Sequence, residues 1–498
     1  MRRRLHRLIG AAAVLHSATG TEQARPSDLD RADRRGPRRP NPVGHARQLL
    51  GRVPTGVWVI LAIALVLRLT VVAVTWDTPV TLDPQDFSRT AASIAQGHGY
   101  PPSNRAPGGG ASAFRPPGYP VFLAGVYAIA GRTAPAAGRL AGAFLGTLSV
   151  TLIGLIALRL WGRRVGMLAL GIAAAAPPLV ILSTALISEA LFVPVMLAAV
   201  LTALESRASK RRYRWLIATG VLVGVACLTR TNGLILLIPF SLAFAPTRSR
   251  RELGAWMPPA IFVVTAVLTI APWTVRNWIV FHAFIPVSDE SGYTLAGTYN
   301  RVSRADRRTP ALWIEAEHGK SPEYAQILRT ATARRWNEVT YGDHLQAAAI
   351  RDIESDPGYV LKVAYWNTIR TLDLGEGGIA AGNLRDTDIP LGLGLLVIIT
   401  SPLLLVLALG GLLTRRARRV PRWLWLVPLC MATSVFVTGF IRFRAPIDPF
   451  LVMLIAIAAD DFLDELLRLI RSVRRVRLQS APAERPNKRI TLTKTRAA

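Results

Sequence analysis

The residues best suited to chemistry in this sequence are three acids and five arginines at the edges of long apolar runs. Asp83 and Asp86 lie three apart in Thr-Leu-Asp-Pro-Gln-Asp-Phe, just after the first run. If a helix starts there the two share a face, and either carboxylate is able to take a proton from an attacking hydroxyl. The rival reading is that one of them caps the helix, a common use of Asp. Glu189 sits in Ile-Ser-Glu-Ala-Leu-Phe within an otherwise apolar hairpin. An acid beside hydrocarbon has either a functional role or a paired arginine. Arg115 precedes Pro116-Pro117, Arg230 stands in Leu-Thr-Arg-Thr-Asn-Gly, Arg276 follows Pro272-Trp273, and Arg442 and Arg444 share Phe-Ile-Arg-Phe-Arg-Ala-Pro. Guanidinium groups stay charged and bind phosphate in bidentate fashion. Any one of them can instead reach lipid headgroups, but five together suit an anionic ligand.

These residues must be positioned by membrane helices. The 498-residue chain is 51% hydrophobic, with its apolar residues gathered in blocks separated by arginine clusters. This is the pattern of an all-α polytopic membrane protein rather than of a soluble core. A net charge of +29 would suggest nucleic acid in a soluble protein. Here the basic residues sit at the ends of apolar runs, so no nucleic-acid partner is expected. Cys227 and Cys430 each lie inside an apolar run, which predicts neither a structural disulfide nor a metal site.

Residues 1–54 carry twelve arginines against four acids and read as a disordered basic cytoplasmic arm. A transmembrane module follows over 55–275, with spans near 57–75, 118–131, 139–158, 165–183, 186–204, 213–229, 233–245 and 257–275. It includes an external loop at 76–118, far longer than a plain connector needs to be. Residues 276–389 hold 15 of the chain's 31 acids and form a second, larger external loop packing over the first. Within it, Glu323–Ile353 is patterned as an amphipathic helix. Pro357–Leu374 is another, with Tyr365 and Trp366 suited to a membrane interface. C-terminal spans near 390–412, 423–440 and 446–459 complete a 390–460 module, and 461–498 is a basic cytoplasmic tail. Arg159–Arg164, Arg207–Arg214, Arg248–Arg251 and Arg415–Arg422 mark the cytoplasmic face, which leaves both loops extracytoplasmic. Eleven runs cannot place both termini on one side. The run at 118–131 is short for a span, so the number of crossings stays open between 10 and 12.

The first loop also carries a resemblance. Asp83, Phe87 and Ala91, then Gly97-His98-Gly99-Tyr100, then Arg115-Pro116-Pro117-Gly118-Tyr119-Pro120 look like the first external loop of integral-membrane glycosyltransferases of the GT-C fold. The branch resembled is that of protein O-mannosyltransferases and lipid A aminoarabinose transferases, glycosyltransferase family 39. Supporting stretches are Arg139–Gly166, Ser188-Glu189, Leu228–Pro239, Ala271–Trp278 and Arg442–Pro449, so the likeness runs from about 60 to 460.

The resemblance implies transfer of a sugar, mannose or another hexose or pentose, from a polyprenyl-phosphate-linked donor. The acceptor is a hydroxyl of a protein, glycan or glycolipid on the outer face of the bilayer, and the anomeric carbon is inverted. By that analogy Asp83 matches the first-loop acid and general base, with Asp86 behind it, and Glu189 matches the second acidic position. Arg115 takes the place of the family's lysine near the donor phosphate, where Arg230, Arg276, Arg442 and Arg444 are also expected. One departure stands out: the family's Asp-Glu pair is here Asp83-Pro84. That leaves both the base and any divalent metal open. Two other classes remain, a lipid or solute transporter and a non-enzymatic scaffold for envelope assembly. A transporter predicts charges along a path near the midplane, whereas these cluster at the outer ends of the runs.

Overall fold

The computed structural model describes residues 54–246, 253–315, 319–375 and 388–479. The expected basic arm before Pro54, the Arg248–Arg251 connector and the last stretch of the tail, 480–498, lie outside the described residues. Among those described there are helices and turns but no strand.

The helices are α1 (Thr55–Val74), α2 (Leu82–Ala95), α3 (Gly118–Ala130), α4 (Pro135–Trp161), α5 (Arg163–Ala175), α6 (Pro177–Ile181), α7 (Glu189–Ala208), α8 (Arg212–Thr229), α9 (Leu237–Phe244), α10 (Met257–Phe281), α11 (Ser291–Thr298), α12 (Arg301–Ala305), α13 (Pro322–Arg334), α14 (Glu338–Ser355), α15 (Gly358–Thr371), α16 (Leu391–Leu412), α17 (Arg415–Arg418), α18 (Arg422–Ala432) and α19 (Asp448–Gln479). Thr55–Val74, Pro135–Trp161, Glu189–Arg207, Gly254–Phe281 and Leu391–Leu412 are each long and apolar enough to cross a membrane. α1 and α16 turn most of their apolar surface outward, as helices facing lipid do, whereas α7 is buried at the centre of the bundle. α8 and α10 approach closely because Gly220 and Gly224 have no side chain. A Cβ on either would lie within 2.7 Å of Thr265 or Thr269.

α3 is the short run at 118–131. Its 13 residues reach only about 20 Å, too little for a hydrocarbon core of about 30 Å. It packs instead against α2, with Phe87 and Ala91 meeting Tyr119, Leu123 and Tyr127, and Ser88 Oγ 2.8 Å from the Tyr127 hydroxyl. With α3 set aside as part of the first loop, the described residues hold five helices long and apolar enough to cross a membrane and shorter apolar helices at Thr231–Phe244 and Arg422–Phe436. The run at 165–183 is broken, α5 giving way to α6 at Pro177-Pro178. The buried Arg68 of α1 meets that break, donating to the carbonyls of Ala64 (2.9 Å), Ala174 (3.4 Å) and Leu179 (3.2 Å). The Ala174 carbonyl has no helical partner because Pro178 has no N–H.

The basic connectors gather at one end of the bundle. There Arg164 pairs with Asp460 (3.1 Å) and Asp464 (2.6 Å), Arg416 with Asp460 and Asp461, and Arg159 with Glu205 (3.0 Å). α19 runs on through this end to Gln479, so the first part of the expected tail is helix.

At the other end the second loop packs over the first. The helix expected over Glu323–Ile353 is two, α13 and α14. The chain turns at Arg335, whose φ is +53°, and Asn337 caps α14 by accepting from the Thr340 N–H at 2.9 Å. Phe114 of the first loop inserts beside Tyr293, Tyr324 and Tyr341 of the second.

Candidate active site

The local sequence places Asp83 and Asp86 on the first turns of α2, on one face. Their carboxylates turn to arginines rather than to the helix N-terminus, where Thr81 occupies the cap position. Arg115 is delivered by the extended segment before Pro116-Pro117. Gly118 then lets the chain press against the end of α8, where a Cβ would sit 2.8 Å from the Leu228 carbonyl. That contact brings Arg115 near Arg230, the residue closing α8. Glu189 opens α7 behind Ser188, and Arg442 sits on a single 3-10 turn, Ile441–Arg444, between α18 and α19.

These six side chains form a ladder of alternating charge. Arg115 Nε donates to Asp86 Oδ2 at 2.8 Å, and its Nη2 donates to Asp83 Oδ1. Asp83 Oδ2 faces Arg442 Nη2 at 2.5 Å. Arg442 Nε lies 3.9 Å from Glu189 Oε1, and the same oxygen pairs with Arg230 Nη1. Ser188 Oγ donates to Glu189 Oε2 at 3.2 Å and accepts from Arg230 at 3.1 Å. Aromatic rings carry the guanidinium groups. Arg115 lies between Phe87 (4.8 Å) and Phe114 (4.9 Å), while Phe443 lies 4.8 Å from Arg230 and 5.4 Å from Arg442. Burial pushes the Asp83 carboxyl up, but the Arg115 and Arg442 charges outweigh it and hold the group well below the usual carboxylate range.

Two of the five expected arginines stand apart from this ladder. Arg276 donates to the Ser112 carbonyl (2.9 Å) and to Asn277 Oδ1 (2.9 Å), beside the rings of Tyr100, Trp273 and Phe281. It holds the first loop in place. Arg444 is 2% exposed in a separate knot, paired with Asp448 (2.8 Å) and Asp373 (3.1 Å) and donating to Ser401 Oγ (2.6 Å). A ligand phosphate has no approach to it there.

Sequence reasoning missed several members. Arg105 reaches to 3.9 Å from Asp86 Oδ2 and lies over Phe114. Ser188 was legible only as the residue preceding an N-terminal acid. Glu338 is fully buried beneath the first loop, accepting from the Ala113 N–H (2.7 Å) and from Ser112 and Ser103. Asp289 lies beside it, and burial together with the Glu338 carboxylate pushes its carboxyl up to about 8. No pattern within either short segment announces that pairing.

A small apolar pocket of about 20 Å³ lies beside Glu189, lined by Gly146, Leu179, Leu182, Ser183 and Val193. The three ladder acids each face guanidinium groups, a charge arrangement that suits an anion better than a divalent cation. Among the described residues no group of three or more His, Cys, Asp or Glu is placed to hold a metal ion.

The helical architecture is that of the GT-C membrane glycosyltransferases. The archaeal oligosaccharyltransferase AglB from Archaeoglobus fulgidus, solved with an inhibitory peptide and a dolichol-phosphate, superimposes with a TM-score of 0.50 at 14% identity. The match covers 86% of this chain and 52% of that one. The same A. fulgidus enzyme tethered to an acceptor peptide containing the NVT sequon gives 0.50 at 14% identity, over 84% and 50%. ArnT from Cupriavidus metallidurans bound to undecaprenyl phosphate gives 0.38 at 17% identity, over 80% and 77%. The chain thus spans about half the length of the oligosaccharyltransferase. In sequence, residues 114–275, about a third of the chain, match the family described as dolichyl-phosphate-mannose-protein mannosyltransferase. No curated protein matches the chain. The matched stretch carries Arg115, Glu189 and Arg230; Asp83, Asp86, Arg276, Arg442 and Arg444 lie outside it.

Proposed function

We propose that this protein is an inverting membrane glycosyltransferase that moves a sugar from a polyprenyl-phosphate-linked donor to an acceptor hydroxyl on the extracytoplasmic side. The observation that carries this reading is the ladder itself. It sets a carboxylate, Asp83, between Arg115 and Arg442, under a folded loop. The dolichol-phosphate complex of the structurally similar oligosaccharyltransferase supports the donor class.

In this reaction the acceptor oxygen forms a bond to the anomeric carbon as the bond from that carbon to the donor phosphate oxygen breaks. The acceptor's proton passes to the Asp83 carboxylate, and polyprenyl phosphate leaves with the bonding pair. Charge growing on the phosphate is stabilised by Arg230, Arg442 and Arg115, preorganised by their rings. The leaving group is already a stable anion, so no general acid is required. Glu189 orients Arg230 and Arg442, and Asp86 anchors Arg115. The donor's prenyl chain lies between the membrane helices, and the second external loop helps select the acceptor. Arg276 positions the first loop. Hexose or pentose, and mannose in particular, follow from a panel of donors.

The test is transfer of radiolabelled sugar from polyprenyl-phosphate-linked donors to endogenous membrane acceptors, in wild type and in Asp83→Asn, Asp86→Asn and Glu189→Gln at matched expression. Asp83→Asn is expected to lower the rate about 10²- to 10⁴-fold, the usual contribution of a positioned base. Retained transfer in the folded Asp83→Asn/Asp86→Asn double variant overturns the mechanism. Failure of wild type to consume any donor favours the transporter or scaffold class.

A further inference from the structure

The ladder as it stands leaves no vacancy for a phosphate. Three carboxylates, Asp83, Asp86 and Glu189, face three guanidinium groups, Arg115, Arg230 and Arg442, each within 4 Å of at least one opposite charge. An anionic ligand can reach these arginines only by taking one of them from a carboxylate. The three are not equally held. Arg115 is gripped by two carboxylates and two rings, and its carbonyl accepts from the Tyr100 hydroxyl at 2.5 Å. Arg230 is tied to Glu189 and Ser188. Arg442 rides on a four-residue turn between two helices, against the faces of Phe440 (5.8 Å) and Phe443 (5.4 Å). These ring contacts are longer than those of Arg115, at 4.8 and 4.9 Å, and hold the guanidinium less closely. Its contacts are also lopsided: 2.5 Å to Asp83 and 3.9 Å to Glu189. Glu189 is therefore a second resting place for the same guanidinium, on the side of Arg230.

We propose that the donor phosphate uncovers its own base: on binding it draws Arg442 from Asp83 Oδ2 toward Glu189 and itself, and the freed oxygen receives the acceptor's proton. The idea rests on the glycosyltransferase reading and deepens it, making Arg442 a positioning residue that couples donor occupancy to reactivity. Before the donor arrives Asp83 is held by two guanidinium groups and is a poor base. Afterwards only Arg115 remains on it, shared with Asp86. The other charges facing the pair are Asp86 through Arg115 and Glu189 through Arg442. A site that activates its base only when the donor is present also avoids spending acceptor encounters on an empty site.

The test is a double-mutant cycle on binding, with undecaprenyl phosphate as probe, undecaprenol as uncharged control and the full chain in nanodiscs. If Asp83 competes with the phosphate for Arg442, Asp83→Asn tightens undecaprenyl phosphate about tenfold. That gain falls below twofold in the Arg442→Gln background. An equal gain in both backgrounds means simple charge repulsion, and no gain means no competition; either overturns the proposal. A kinetic comparison in wild type keeps the question decidable if Asp83→Asn does not fold. The pH dependence of kcat/KM reports the free enzyme and that of kcat the donor complex. The acid limb of kcat is expected at least one pH unit above that of kcat/KM, and coincident limbs overturn the proposal. A wild type that prefers undecaprenyl phosphate no more than undecaprenol overturns the donor reading itself, a result distinct from either failure of the cycle.

Discussion

Replacing Arg115 tests whether the first loop is held by charge. Its side chain is one-tenth exposed and bridges Asp83 and Asp86, both on α2. Truncating one partner of a buried pair costs about 3–5 kcal/mol because the other charge is left uncompensated. Here each carboxylate keeps a second guanidinium, Asp83 the one at Arg442, and Asp86 those at Arg89 (3.4 Å) and Arg105 (3.9 Å). Because these guanidinium groups remain and Asp83 itself is partly exposed, the lower end of the range applies. Arg115→Met is expected to lose about 3 kcal/mol. Arg115→Lys keeps the charge but reaches only one carboxylate and forfeits the planar fit between Phe87 and Phe114; it is expected to lose about half as much. Unfolding midpoints of the purified proteins should rank wild type, Lys, Met. Adding Asp83→Asn to Arg115→Met should then do less damage than Asp83→Asn alone, because residues in one network couple. Strictly additive effects, or an Arg115→Met midpoint equal to wild type, would refute the clamp.

Two further outcomes follow from the junction of the loops and from the bundle's two ends. Asp289 holds its proton in the folded state to about pH 8, whereas in the unfolded chain it loses it near 4. The folded protein thus binds the extra proton between those values, and stability falls as pH rises through that window, levelling off above 8. Protection factors for hydrogen exchange over 100–114, corrected for the base-catalysed rise of the intrinsic rate, should be higher at pH 6 than at pH 9, and Asp289→Asn should remove the difference; an unchanged pH dependence in that variant counts against a protonated Asp289 beside Glu338. For sidedness, Arg334→Cys is expected to react with an impermeant maleimide on intact cells and Arg163→Cys only after permeabilisation, read by gel shift against the parent carrying Cys227 and Cys430. The reverse pattern would invert the topology.

Much of this was legible because the charges were rare against an apolar background. Asp83, Asp86, Glu189, Arg115, Arg230 and Arg442 stood out by type and position, and the structure brings them into one ladder. Their exact pairing was not legible, since Arg442 lies more than three hundred residues from Asp83 and nothing local specifies its partner. Arg276 and Arg444 looked the same in sequence but face a carbonyl and a buried acid pair. Helix α3 was misleading for a different reason: its composition is that of a span, and only its length and its fit against α2 show otherwise. The break at Arg335 carried a usable sign, the Asn337 cap, which a continuous amphipathic pattern hid. Arg68 carried a sign as well, a single charge in the middle of the first span.

That arginine bears on how the chain is made. On its own α1 is strongly apolar, yet it carries one charge of a kind that costs about 2.5–3.5 kcal/mol at mid-bilayer. Of the three carbonyls that satisfy Arg68, two belong to residues 106 and 111 positions further on. At ribosomal speed those residues emerge roughly 5–20 seconds later. For that interval the first segment carries a charge two of whose partners have not yet been made. A chain that stops before Ala174 lacks both of them, so a residue remote from the chemistry ties the first helix to a segment made more than a hundred residues later.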